Sequence, residues 1–133
     1  MSNFFEWDPA KYSVQVPKMD RGHQEIISCM NRLHTLREAK APQAQLVKTV
    51  GDLCAITVKH FAEEEAYMAS IGFADLAKHK IIHKTLLAKV MEHKSLFEAT
   101  GKLTEEFFSF LKVWLKAHIC GIDIKYAPQR VAA

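Results

Sequence analysis

The stretch from His60 to His83, HFAEEEAYMASIGFADLAKHKIIH, constrains this chain more than any other. It holds a His-x-x-x-Glu, then Gly72, then a His-x-x-x-His. Residues four apart share one face of a helix, so His60 and Glu64 form one pair and His79 and His83 another. Gly72 is a natural helix stop and lets the second pair fold back towards the first. Polar pairs facing each other across helices are how a metal site is built inside a bundle.

The rest of the chain supplies the helices that such a site needs. Residues 1–18 carry Pro9 and Pro17 together with Phe4, Phe5, Trp7 and Tyr12, and they read as an extended arm packing on the main body. A first long helix is expected from about Asp20, a suitable N-cap, with the stripe Met19, Ile26, Ile27, Met30, Leu33 and with His23 on it. The Lys40-Ala41-Pro42 stretch ends it. A second helix, about Pro42 to Ser70, has the stripe Leu46, Val50, Leu53, Thr57, His60, Glu64, Tyr67, Ile71. A third, about Ala74 to Phe97, has Leu76, His79, His83, Leu86, Val90, Phe97. Thr100-Gly101 breaks the chain, and a fourth helix from about Leu103 shows Phe107, Leu111, Trp114, Leu115 and His118 before Gly121. No strand-like alternation of any length is present. The expectation is an all-α, antiparallel up-down-up-down four-helix bundle with an extended N-terminal arm, one domain over residues 1–133.

That topology makes a geometric statement. His23 opens the first helix, His60 and Glu64 lie near the end of the second, His79 and His83 open the third, and His118 closes the fourth. In an antiparallel bundle these positions fall at one level, at one end. A lone inward histidine is ordinarily a hydrogen-bonded core residue. Five of them with a buried carboxylate are hard to satisfy without a cation, because each unpartnered polar atom costs about 1–3 kcal/mol. His34 and His93 serve as controls: a rise of 1.5 Å per residue puts them roughly 15 Å along their helices from the level of the others. Both read as surface or boundary residues. Glu63 and Glu65 point off the stripe and read as solvated. Cys120, beside His118, reads as a packing residue rather than a soft ligand. Asp123, five residues after His118, would turn away on a regular helix, but Gly121 allows the helix to loosen and bring it inward.

Composition excludes other classes. Net charge is +3 with scattered positive residues, which points away from nucleic acid. No apolar run approaches the ~20 residues of a membrane span, and the start MSNFFEWDPAKY lacks the pattern of a signal peptide. Cys29, Cys54 and Cys120 are odd in number and form no Cys-x-x-Cys, so they read as reduced thiols of a cytoplasmic protein.

Five imidazoles and two carboxylates exceed one tetrahedral zinc. Imidazole-rich sites suit iron, copper, nickel or zinc rather than calcium or magnesium. Two carboxylates bridging two metals, three histidines on one and two on the other, leave one open position. Ferritin-type di-iron sites carry four carboxylates and two histidines. Fewer anionic donors favour the ferrous state, and so reversible dioxygen binding over oxidation of a substrate.

The residues resemble the hemerythrin family. Its pattern of a lone His, His-x-x-x-Glu, His-x-x-x-His and His-x-x-x-x-Asp is filled here by His23, His60/Glu64, His79/His83 and His118/Asp123. The segments FFEWDPAKYSVQVPKMDRGH, HFAEEEAYM and WLKAHICGID carry the likeness across most of the chain. The resemblance implies two non-heme iron ions per chain with an oxo or hydroxo bridge. His79, His83 and His118 would bind one iron, His23 and His60 the other, with Glu64 and Asp123 bridging. Dioxygen would bind at the iron held by His23 and His60, and Phe61, Trp114, Leu115 and Ile119 match apolar pocket positions. Gly22 stands where the family often has glutamine, and it is expected to loosen His23.

The function expected is a dioxygen carrier, store or supplier and not an enzyme. Its partners would be dioxygen and an oxygen-consuming enzyme, with no nucleic acid and no membrane insertion, and the chain a monomer. A di-iron peroxidase, oxidase or nitric-oxide-handling enzyme, an oxygen sensor and an iron store are the competing readings.

Overall fold

The structure, a computed structural model, describes residues 4–121, apart from the side chains of Lys11 and Cys120. Four long helices follow a one-turn helix: α1 (Pro9–Tyr12), α2 (Pro17–Glu38), α3 (Gln43–Ser70), α4 (Leu76–Thr100) and α5 (Glu105–Gly121). The four long helices form the antiparallel bundle expected from the stripes. α3 packs against both α2 and α4, and α1 lies against α5.

The core follows the 3-4 spacing of apolar residues. α2 buries Met19, His23, Ile26, Ile27, Cys29, Met30 and Leu33, and α3 buries Leu46, Val50, Leu53, Thr57, His60, Phe61, Glu64 and Met68 along the same face. Each large apolar side chain removed from water contributes about 1.5–3 kcal/mol. On α3 the predicted stripe ended on Tyr67 and Ile71. The structure buries Met68 instead, leaving Tyr67 half-buried and Ile71 exposed. Met68 lies four residues after Glu64, so the inward face passes through it rather than through Tyr67. α4 buries the least, with His79, His83, Val90 and Phe97 forming a narrow inward line. Thr57 is fully buried, but its hydroxyl donates to Leu53 O at 2.7 Å within its own helix, so it asks nothing of its neighbours.

Two expectations about the arm are corrected. It is not wholly extended, because Pro9 starts a helical turn, with Asp8 as N-cap accepting from Ala10 N at 3.0 Å. α2 begins at Pro17 rather than at Asp20. Both prolines occupy a first helical position, where the missing N–H costs nothing and the fixed φ suits the helix. Asp20 sits in the first turn of α2 and reaches back to the arm, accepting from Ser13 Oγ at 2.6 Å and Val14 N at 2.8 Å. Asn31 fixes the outer part of the arm: its Oδ1 accepts from Phe5 N at 2.7 Å and its Nδ2 donates to Phe5 O at 2.9 Å. Phe5, Tyr12 and Val14 are buried in the core.

Gly72 after α3 and Gly101 after α4 both take the left-handed conformation, φ 65° and 71°, which turns the chain without a Cβ penalty. The corner after α3 brings His79 and His83 back beside His60 and Glu64.

Candidate metal centre

Glu64 stands at the middle of the site, fully buried on α3. Its two oxygens face different sets of histidines. Oε2 lies 3.5 Å from His23 Nε2 and 3.3 Å from His60 Nε2. Oε1 lies 2.7 Å from His83 Nε2, 3.3 Å from His79 Nε2 and 3.9 Å from His118 Nε2. All five imidazoles are buried and all turn the same ring nitrogen inward. The ligand-type atoms form two groups, Glu64 with His79, His83 and His118, and Glu64 with His23 and His60. Each group draws on two or more helices, and the carboxylate is common to both.

The electrostatics make Glu64 an anion. Burial pushes its carboxyl group up, but the imidazoles of His118, His23, His60 and His79 outweigh this and hold it well below the usual carboxylate range. One carboxylate offers about four lone-pair positions, fewer than the nitrogens facing it. His60 shows the shortfall, since its Nδ1 is buried without a hydrogen-bond partner and its Nε2 reaches only Glu64 Oε2, which His23 also faces. Such atoms are costly in a protein interior. A cation on each side of Glu64 meets both deficits, taking imidazole lone pairs and offsetting the carboxylate charge. The donor set therefore fits two metal ions.

A family comparison decides between a metal bundle in general and a particular kind. Residues 14–129 match the model of the hemerythrin HHE cation-binding domain. The chain belongs to the hemerythrin family. It is 36% identical to a myohemerythrin of Riftia pachyptila over 122 residues, covering 92% of this chain and 90% of that one. It is 30% identical to a bacteriohemerythrin of Stenotrophomonas maltophilia over 117 residues, 88% and 76% of the two chains. Its fold superposes on a crystal structure of wild-type hemerythrin with a TM-score of 0.85 at 28% identity, covering 95% of this chain and 97% of that chain.

Within this hemerythrin fold the structure brings together six of the seven residues expected to hold metal: His23, His60, Glu64, His79, His83 and His118. Asp123, the seventh, lies outside the described residues, as does the side chain of Cys120. The two control histidines lie elsewhere. His34 is half-buried and stacks on Phe4 at 4.6 Å, and His93 stacks on Phe107 and Phe110. Cys29 and Cys54 are buried free thiols.

The apolar residues expected around the site are all buried: Phe61, Trp114, Leu115 and Ile119. Phe61 stacks face to face on His83, with ring centroids 3.9 Å apart and planes 3° from parallel. Its edge meets Trp114 at 6.1 Å, and His118 lies 5.9 Å away. This aromatic cover thus lies nearest the three-histidine group, with the His60 ring at 6.3 Å.

Two residues take roles that sequence reasoning did not give them. Glu65 is not simply solvated: it is half-buried, and its Oε2 accepts from His83 Nδ1 at 2.8 Å. A carboxylate following Glu64 on α3 was visible in the sequence, but its direction depends on how α3 is rotated against α4. Gly22 precedes His23, which is fully buried, and it also bears on His60. It makes room for His60, because a Cβ at Gly22 would lie 2.1 Å from His60 Nδ1.

Proposed function

We propose that this chain binds dioxygen reversibly at a pair of non-heme iron ions, and that it carries, stores or supplies dioxygen rather than transforming a substrate. On this reading His23 and His60 hold one ion, His79, His83 and His118 hold the other, and Glu64 bridges them, with Asp123 as second bridge. The sorting of five histidines between the two oxygens of Glu64, two and three, carries the proposal. The names hemerythrin and bacteriohemerythrin among its relatives support it. A ferrous pair would supply two electrons and an open coordination position beside the two-histidine group.

The chain's own residues set the conditions for reversibility. Imidazoles are neutral donors, so the anionic charge is confined to Glu64 and Asp123, and so few anionic donors favour the reduced ions. Phe61, Trp114, Leu115 and Ile119 form an apolar wall that keeps water and anions from the centre and slows irreversible oxidation. Glu64 stays ionised without a proton to lose. We take the chain to act as a one-domain cytoplasmic monomer whose acceptor is an oxygen-consuming enzyme. No helix among the described residues is long and apolar enough to cross a membrane.

Anaerobic reduction, exposure to air and then purging with argon test the proposal. A visible charge-transfer band that appears in air and fades under argon, over repeated cycles, is the expected result. Irreversible bleaching to a ferric product in the first cycle overturns it in favour of an oxidase or peroxidase.

A further inference from the structure

Metal-bound imidazoles depend on what their outer nitrogen meets. An acceptor there fixes the tautomer and ring orientation and makes the inner nitrogen a stronger donor. His60 and His83 differ in this respect. His60 Nδ1 is buried against Gly22 with no hydrogen-bond partner. His83 Nδ1 donates to the Glu65 carboxylate at 2.8 Å. The His83 ring is also clamped by Phe61 stacked on its face. Glu65 lines a surface cleft of about 320 Å³ with Val58, Lys80, Lys84 and Leu87, so its free oxygen has room for water.

We propose that Glu65 is a positioning residue for the three-histidine metal. A carboxylate has no proton to give at neutral pH, so it requires His83 to carry its proton on Nδ1. That leaves the Nε2 lone pair facing the centre, 2.7 Å from Glu64 Oε1. The negative charge behind the ring raises its donor strength. His60 has no such support, so Glu65 tightens the hold of His83, and with it of the three-histidine site, on its ion. This rests on the two-metal reading above; three imidazoles against two already make the sites unequal, and one residue on the rim widens the gap.

The test is anaerobic titration of the metal-free protein with zinc(II) against a chromophoric chelator. Wild type is expected to take up two equivalents with unequal affinity. Glu65→Ala should weaken the tighter one about 10- to 100-fold. Glu65→Gln, whose amide oxygen still accepts from Nδ1 but carries no charge, should recover part of that loss. Glu63→Ala, on the same helix turn, should leave both equivalents unchanged. Circular dichroism and the Tm of the metal-free variants check folding: the spectra should match wild type, with Glu65→Ala melting a few degrees lower at most, because the cleft admits water to His83 Nδ1 in place of the lost acceptor. The inference is overturned if folded Glu65→Ala binds zinc as wild type does. It is also overturned if Glu65→Gln is as weak as Glu65→Ala, since the hydrogen bond would then count for nothing. One equivalent in wild type would defeat the two-metal reading instead, and the Glu65→Ala comparison on that equivalent would still decide the role of Glu65.

Discussion

Replacing Gly22 with alanine would do two opposite things. Alanine is the better helix former, by about 1 kcal/mol in a helix interior. Against this, the new Cβ would lie 2.1 Å from His60 Nδ1, 2.8 Å from Cε1 and 3.2 Å from Cγ. The ring must retreat by about 1.3 Å to reach ordinary contact at 3.4 Å. It has little room, because the His23 ring centroid is 4.5 Å away and Glu64 Oε2 is 3.3 Å from Nε2. Overpacking of this kind costs roughly 1–3 kcal/mol, so the net loss in the metal-free protein is about 0–2 kcal/mol, a few degrees in Tm. Metal binding is more sensitive, since ligand distances tolerate only about 0.2 Å. Gly22→Ala should therefore fold, retain the three-histidine ion and lose most affinity for the two-histidine ion, at least about 100-fold. Metal content after desalting, with zinc(II) titration and thermal melts, measures this. A variant that melts higher than wild type and keeps two equivalents at unchanged affinity would refute the close approach of α2 to His60.

Further outcomes are expected. His118→Ala should lose metal while His34→Ala keeps it, measured as metal per chain; equal loss in both would break the argument that the ligands share one level. Gly51→Ala, in open space on α3, should raise the Tm by about 0.5–1 kcal/mol worth of stability, whereas Gly101→Ala, at φ 71°, should lower it by about 1–2 kcal/mol. Burial pushes the Cys29 and Cys54 thiols up from their usual range. Their contribution is complete below the ordinary thiol pKa and is lost as pH rises through the folded values, so stability should fall on the alkaline side. A Cys29→Ala/Cys54→Ala variant should show a flatter alkaline limb in denaturant melts from pH 7 to 10.

Much of this site was legible because a buried histidine breaks an apolar stripe in a way that spacing exposes. The convergence of His23, His60, Glu64, His79, His83 and His118 followed from helix order and the corners alone. Prolines were harder, because Pro9 and Pro17 can stop or start a helix, and only the preceding residue's backbone decides which. The contact of Glu65 with His83 and that of Gly22 with His60 were not foreseen for a related reason. Their roles depend on helix rotation and on an approach of a few ångströms between α2 and α3, which no one-dimensional period encodes. Phe61 was expected in the apolar wall, but that it would stack on His83 depends on a side-chain rotamer.

The two-faced carboxylate at Glu64 has a consequence for how the protein fills. If each oxygen serves a different ion, the first to arrive fixes the carboxylate rotamer and neutralises its charge, and the second meets a side chain already immobilised but less negative. The two loadings are then thermodynamically linked, and the sign of the linkage depends on whether pre-ordering or lost charge prevails. Where ordering prevails, a scarce metal supply divides the population into empty and full chains. Half-filled chains, with one ion and no partner to share electrons, then stay rare without any device beyond a single side chain.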